Sequence, residues 1–230
     1  LLDNGLINKI AAGEVVERPA SVVKELMENS IDAGATSITV EIAEGGTSVI
    51  KITDNGKGIP KDEIRTAFMR HATSKIDSFE DLENVLTLGF RGEALSSIAS
   101  VAQVEMLTRT ENDSMGTRIV INGGVVDREE ECAANVGTVF YVKNIFFNTP
   151  ARRKFLKKPA TEGSYISEIV NRIALGHPNI AIKYINNGNI VLQTIGDGNV
   201  KNSLFYIYGK DIASKMLNLE SEKEGYILKG

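Results

Sequence analysis

The chain has a single cysteine, Cys132, no tryptophan, only two histidines and no surplus of basic charge. One thiol excludes an internal disulfide and any zinc site built on several cysteines, and it fits a reducing, cytoplasmic setting. His71 and His177 lack ligand company at metal spacing and read as structural or surface residues. A net charge of −4 excludes a global positive field, so any contact with DNA must be local. No apolar run approaches the ~20 residues of a membrane span, and the first residues lack the basic-then-apolar layout of a secretory signal. The chain opens on Leu1 rather than methionine, from which its extreme start is expected to be missing. What remains is an ordinary globular composition, 42% hydrophobic and 24% charged over 230 residues, enough for one large domain or one domain and part of another.

Periodicity predicts an α+β order. Val22, Val23, Leu26, Met27, Ser30 and Ala33 recur at helical spacing, with Gly34 placed to end the helix. A hairpin follows, Ile38 to Ile52, turning at Gly45-Gly46. Pro60 opens a short helix over Lys61 to Met69, and another helix runs from Glu93 to Ser100 after a long polar connection. Strands are expected at Gln103 to Arg109, Gly116 to Ile121, Val125 to Glu130 and Gly137 to Val142. NTPARRKFLKKP then interrupts the pattern. An amphipathic helix from Thr161 to Leu175 and a hairpin from Ile180 to Ile195, turning at Asn187-Gly188, complete the series. The polar stretch Gly196 to Asn199 is the boundary candidate. It divides a first domain, residues 1–198, from the truncated beginning of a second, residues 199–230.

Several motifs carry chemistry. Glu25 and Asn29 lie one turn apart on the edge of the first helix's apolar stripe, either at a solvated margin or facing a polar ligand. Strand Val49 to Thr53 runs into Asp54-Asn55-Gly56-Lys57-Gly58, which is either a turn or a carboxylate poised for an exocyclic amine beside glycines that admit a flat ring. Gly89-Phe90-Arg91-Gly92 precedes the helix that starts near Glu93, so unsatisfied N–H groups converge there as an anion site. Neither a Walker loop nor a dinucleotide fingerprint occurs. Arg70 to Lys75 places cations and hydroxyls in the long connection, suited to closing over phosphates.

ExxxN on a helix, DxGxG after a strand, a polar lid and a GxxG run, in that order, resemble the ATPase module of the GHKL superfamily. That superfamily includes topoisomerase ATPase subunits, a heat-shock chaperone, sensor histidine kinases and MutL-type mismatch repair proteins. The wording IAAGEVVERPASVVKELMENSIDAGAT, DNGKGI, RHATSKI, LGFRGEAL, Gly137-Thr138 and NTPARRKFL is similar to the MutL type. The resemblance implies a Bergerat sandwich, a mixed sheet covered on one face by helices and followed by the start of a second α/β domain. It implies ATP as ligand and Mg2+ as its ion.

By the same resemblance, Glu25 deprotonates the attacking water and Asn29 is the magnesium ligand. Asp54 reads the adenine amine, Gly58 gives room beside the base, and Thr138 completes the base contacts. Thr73, Lys75, Gly89, Phe90, Arg91, Gly92, Glu93, Ala94 and Leu95 hold the phosphates. For Glu93, a simple helix N-terminal acid is an equal reading. Family members receive a further lysine from the second domain, so this stretch is expected to bind nucleotide with weak or no turnover. The implied role is a nucleotide-driven switch of DNA mismatch repair that forms a homodimer on binding ATP. Its implied partners are a MutS-type recognition protein, a downstream nuclease or helicase, and DNA bound weakly and without sequence preference. Leu6, Ile7, Ile10, Ala11 and Ala12 form an apolar arm that either packs on its own subunit or covers a partner. The alternative is a repair scaffold that contacts DNA through Arg152, Arg153, Lys154, Lys157 and Lys158; a topoisomerase or chaperone type lacks the NTPARRKFL wording. Phe146 and Phe147 read as core.

Overall fold

The structure is a computed structural model that describes residues 15–69, 93–217, 219–223 and 226–229. The first helix, α1 (Pro19–Asp32), starts at a proline whose fixed φ suits the first turn, and it buries Val22, Val23, Leu26, Met27 and Ser30 along one stripe. Its chain leaves through Gly34 at φ +75°, a left-handed conformation that favours glycine.

Strands β1 (Ser37–Ala43) and β2 (Val49–Asp54) form an antiparallel hairpin with Ile38 opposite Asp54 and Val40 opposite Ile52. A short helix, α2 (Ile64–Ala67), and then α3 (Ala94–Val101) precede β3 (Gln103–Arg109), β4 (Gly116–Asn122), β5 (Val125–Cys132) and β6 (Gly137–Lys143). After these come α4 (Pro150–Phe155), α5 (Pro159–Gly176), β7 (Ala181–Asn186) and β8 (Asn189–Gln193).

All eight strands join one sheet in the order β5-β4-β3-β6-β2-β1-β7-β8. Every pairing is antiparallel except β1 with β7, so the sheet is mixed. One face carries the core: Ile38, Val40, Ile50, Ile52, Val104, Met106, Ile119, Phe140, Val142, Ile182 and Tyr184 are buried, and they form one cluster with residues of α1, α3 and α5. The other face is polar. Lys51 pairs with Glu41 at 2.6 Å, and Glu105 takes both Arg118 at 2.8 Å and Lys143 at 3.0 Å. Burial on one face alone is what period-two alternation dictates.

Two elements differ from expectation. The helix expected over Lys61 to Met69 shrinks to α2 because only Ile64 of that helix is buried, while Lys61 and Arg65 reach Glu131 and Glu129 on β5 at 2.8 and 2.6 Å. NTPARRKFL contains a helix, α4, rather than a break; Pro150 opens it and none of its residues is buried, so it has no apolar stripe to read. Phe146 is core, as expected, whereas Phe147 is 39% exposed. Beyond β8, α6 (Val200–Tyr208) is capped by Asn199 and packs on α5 and β8, α7 (Lys210–Ala213) follows, and, among the described residues, β9 (Glu220–Lys223) pairs only with β10 (Tyr226–Lys229). The apolar arm before Val15 and His71 lie outside the described residues.

Gly137 has φ +115°, and a Cβ on it would meet the Asp54 carbonyl oxygen at 2.2 Å, whereas Gly188, at φ +80°, has nothing within 4 Å. Gly188→Ala is therefore expected to cost about 1 kcal/mol for its backbone conformation alone, and Gly137→Ala several times that, because β2 and β6 must separate. Urea unfolding of both variants checks this; equal losses would contradict the close approach.

Candidate functional site

The register of β2 against β6 sets Asp54 opposite Thr138, and that of β6 against β3 sets Thr138 opposite Thr108. All three alternate onto the helix-covered face, where they are 8%, 6% and 1% exposed. A carboxylate so deeply placed needs donors. Ser30 Oγ on α1 donates to Asp54 Oδ2 at 2.8 Å, and the Gly56 N–H donates to Oδ1 at 2.8 Å. The Thr138 N–H adds a third bond. Burial nevertheless outweighs these donors and lifts the Asp54 carboxyl above the usual aspartate range. Ser30 has only one proton and a second acceptor, the Leu26 carbonyl at 3.0 Å. It can therefore turn away and accept when Asp54 carries a proton.

Ser30 adjoins Asn29 on α1, and Glu25 lies one turn before Asn29 on the same helix. The Glu25 carboxylate is 3.4 Å from Lys24 Nζ through Oε1, while Lys24 lies closer to Glu28, at 2.9 Å. No hydrogen bond from the Asn29 amide forms within the described residues. Among those residues no cluster of histidine, cysteine and carboxylates could cage a metal ion. One amide oxygen fits an ion that takes most of its ligands from phosphates and water, as magnesium does.

Gly58 follows Asp54 at φ +72°, and a Cβ there would meet the Arg109 carbonyl at 2.2 Å. The glycine is thus demanded by the approach of the loop to β3, a reason the sequence did not offer. The next residue, Ile59, donates its N–H to Thr108 Oγ1 at 2.9 Å. Ala94 and Leu95 open α3, whose N-cap, Glu93, makes no side-chain capping bond. Thr73, Lys75, Gly89, Phe90, Arg91 and Gly92 lie outside the described residues. Sequence reasoning missed Ser30, which it placed among the apolar stripe residues, and Thr108. Each is a hydroxyl at an inward-facing position, which is the signal that could have found it.

A cleft of about 330 Å³ is lined by Thr39, Thr53, Leu107, Val136 and Val139. Thr39, Thr53, Leu107 and Val139 alternate along their strands with the buried residues, so the cleft occupies the opposite, open face of the sheet. Its lining also includes Asp54, Gly137 and Thr138, so it borders the carboxylate cluster.

Because the folded protein holds the Asp54 proton more tightly than the unfolded chain does, Asp54 erodes stability as pH rises from the ordinary aspartate value, ~3.9, through its raised value. Asp54→Asn cannot ionise, so its melting temperature is expected to gain on the parent's across that window. A gap that stays constant with pH would contradict a raised carboxyl.

The family described as histidine kinase-, DNA gyrase B- and HSP90-like ATPase matches residues 17–136. DNA mismatch repair protein MutL of Agathobacter rectalis is 56% identical over 100% of the chain, which covers 36% of that protein. MutL of Caldanaerobacter subterraneus is 52% identical over 97% of the chain and 38% of its own length. The chain thus spans little more than a third of the curated relatives it matches. Among solved structures, the Aquifex aeolicus MutL ATPase domain complexed with ADP has a TM-score of 0.73 and 30% identity, covering 90% of this chain and 73% of that one. With its buried carboxylate, its ExxxN helix and these relatives, the chain belongs to the histidine kinase-, DNA gyrase B- and HSP90-like ATPase family, on its MutL branch.

Proposed function

We propose that this chain binds ATP with Mg2+ and acts as the nucleotide-driven switch of a mismatch repair protein. The observation that carries the reading is the Asp54 carboxylate, which is buried, held by donors from α1 and β6, and joined in register to a threonine hydroxyl. An ionised acceptor beside a hydroxyl suits the amine and ring nitrogen of adenine, and membership of an ATPase family agrees. Phosphates would extend from there along α1 toward Asn29 and Glu25, and toward the start of α3 at Ala94 and Leu95. Asn29 Oδ1 would hold the magnesium ion, which supplies positive charge to the phosphates. Glu25, half-buried and without a strong ion pair, would take a proton from water as the water oxygen bonds to the terminal phosphorus and the bond to the ADP oxygen breaks.

In this reading ATP binding pairs two copies, and hydrolysis releases them. The partners are a MutS-type recognition protein, a downstream nuclease or helicase, and DNA bound weakly, all in the cytoplasm. Arg153, Lys154, Lys157 and Lys158 are exposed on and after α4, and they give a salt-sensitive phosphate contact for that DNA. Arg152 is set apart, with its guanidinium 5.1 Å over the Phe146 ring.

Measured with the second domain present to supply its lysine, Glu25→Ala is expected to lower ATP turnover by about 100-fold or more while leaving ATP affinity within a few-fold, as loss of a general base does. Asp54→Asn should lose affinity instead. Phosphate release and titration calorimetry check both, and unchanged turnover in Glu25→Ala would overturn its role.

A further inference from the structure

Thr108 stands beside Thr138 on the neighbouring strand and is 1% exposed. Its hydroxyl has one proton and two lone pairs. The Ile59 N–H donates into one lone pair at 2.9 Å. The Gly137 carbonyl lies 3.1 Å away and can only accept; Thr138 Oγ1, also at 3.1 Å, can accept or donate. Two proton arrangements satisfy this geometry. In the first, Thr108 donates to the Gly137 carbonyl and Thr138 spends its own proton on Thr108, so that Thr138 presents only lone pairs elsewhere. In the second, Thr108 donates to Thr138, and the Thr138 proton is released. Next to an ionised Asp54, the first arrangement places two acceptors side by side, and the second an acceptor beside a donor. The second complements the edge of adenine, where an amine donates and the adjacent ring nitrogen accepts.

We propose that Thr108 is a positioning residue for base recognition: it relays the Ile59 N–H through its own hydroxyl to Thr138, so that Thr138 donates to the ring nitrogen beside the adenine amine. The proposal rests on the reading that Asp54 and Thr138 hold the adenine. Each donor in the chain from N–H to hydroxyl to hydroxyl polarises the next, so the last bond is strengthened by the first. Thr108 itself touches no substrate. The relay also accounts for a hydroxyl at a strand position whose inward neighbours, Val104 and Met106, are apolar.

The test pairs variants of the full chain with two nucleotides in titration calorimetry: ATP and 1-deaza-ATP, in which that ring nitrogen is a C–H. Unaltered protein is expected to prefer ATP by about three- to tenfold, the worth of one hydrogen bond. In Thr108→Val, which keeps the shape and lacks the hydroxyl, the ratio should fall toward one, and in Thr108→Ser it should return. Thr108→Ala, read in the same way, serves if the valine variant does not fold. A merely structural role would weaken both nucleotides equally, and an unchanged ratio in the valine or alanine variant overturns the relay. Equal binding of the two nucleotides by unaltered protein also overturns it while leaving the adenine site standing. No binding of ATP at all would instead remove the proposed function.

Discussion

A carboxylate taken out of water at the end of β2 stays there only because donors from separate elements converge on it: Ser30 from α1, the Gly56 N–H from the following turn and the Thr138 N–H from β6. An uncompensated charge at that depth would cost several kcal/mol, so the position of α1 over the sheet and the register of β6 against β2 are both tied to satisfying Asp54. The chemistry of the site and the packing of the domain are therefore not separable, and a residue such as Ser30 serves both.

The second constraint is close approach. Gly58 lies against the Arg109 carbonyl and Gly137 against the Asp54 carbonyl, so two glycines pull the DNGKGI loop, β3, β6 and the end of β2 into contact. A small side chain at either position would loosen the row of Asp54, Thr138 and Thr108. Alternation then divides labour between the two faces: that row faces the helices, while the neighbouring row of Thr53, Val139 and Leu107 lines the cleft on the open side.

Much of the fold was legible. Strand β3 falls at the expected residues, and the β7–β8 hairpin turns at Asn187 and Gly188, both at positive φ as a two-residue hairpin of this kind requires. Alternation and turn residues are local signals. The parallel pairing of β1 with β7 is not local, and nothing in either strand announces it. The helix at NTPARRKFL escaped because it has no buried face, and the one after Pro60 was drawn too long because ion pairs to β5, rather than an apolar stripe, hold its start. At the site, the juxtaposition of Asp54 with Thr138 was legible through motif wording, and their register and burial agree with it. Ser30 and Thr108 were not legible, since a hydroxyl amid hydrophobic neighbours passes for filler until its partner on another element is seen.

The β1–β7 pairing has a bearing on biosynthesis. Ser37 to Ile42 bond to Ala181 to Asn186, a longer span of chain than the pairing of β2 with β6 closes, whereas β3 with β4 and β4 with β5 pair locally. During translation one edge of β1 must wait, unpaired, until α5 and β7 have left the ribosome, because a strand in parallel pairing cannot be replaced by its hairpin neighbour. That strand carries Ile38, Val40 and Ile42, whose apolar side chains make the nascent intermediate adhesive until β7 is available.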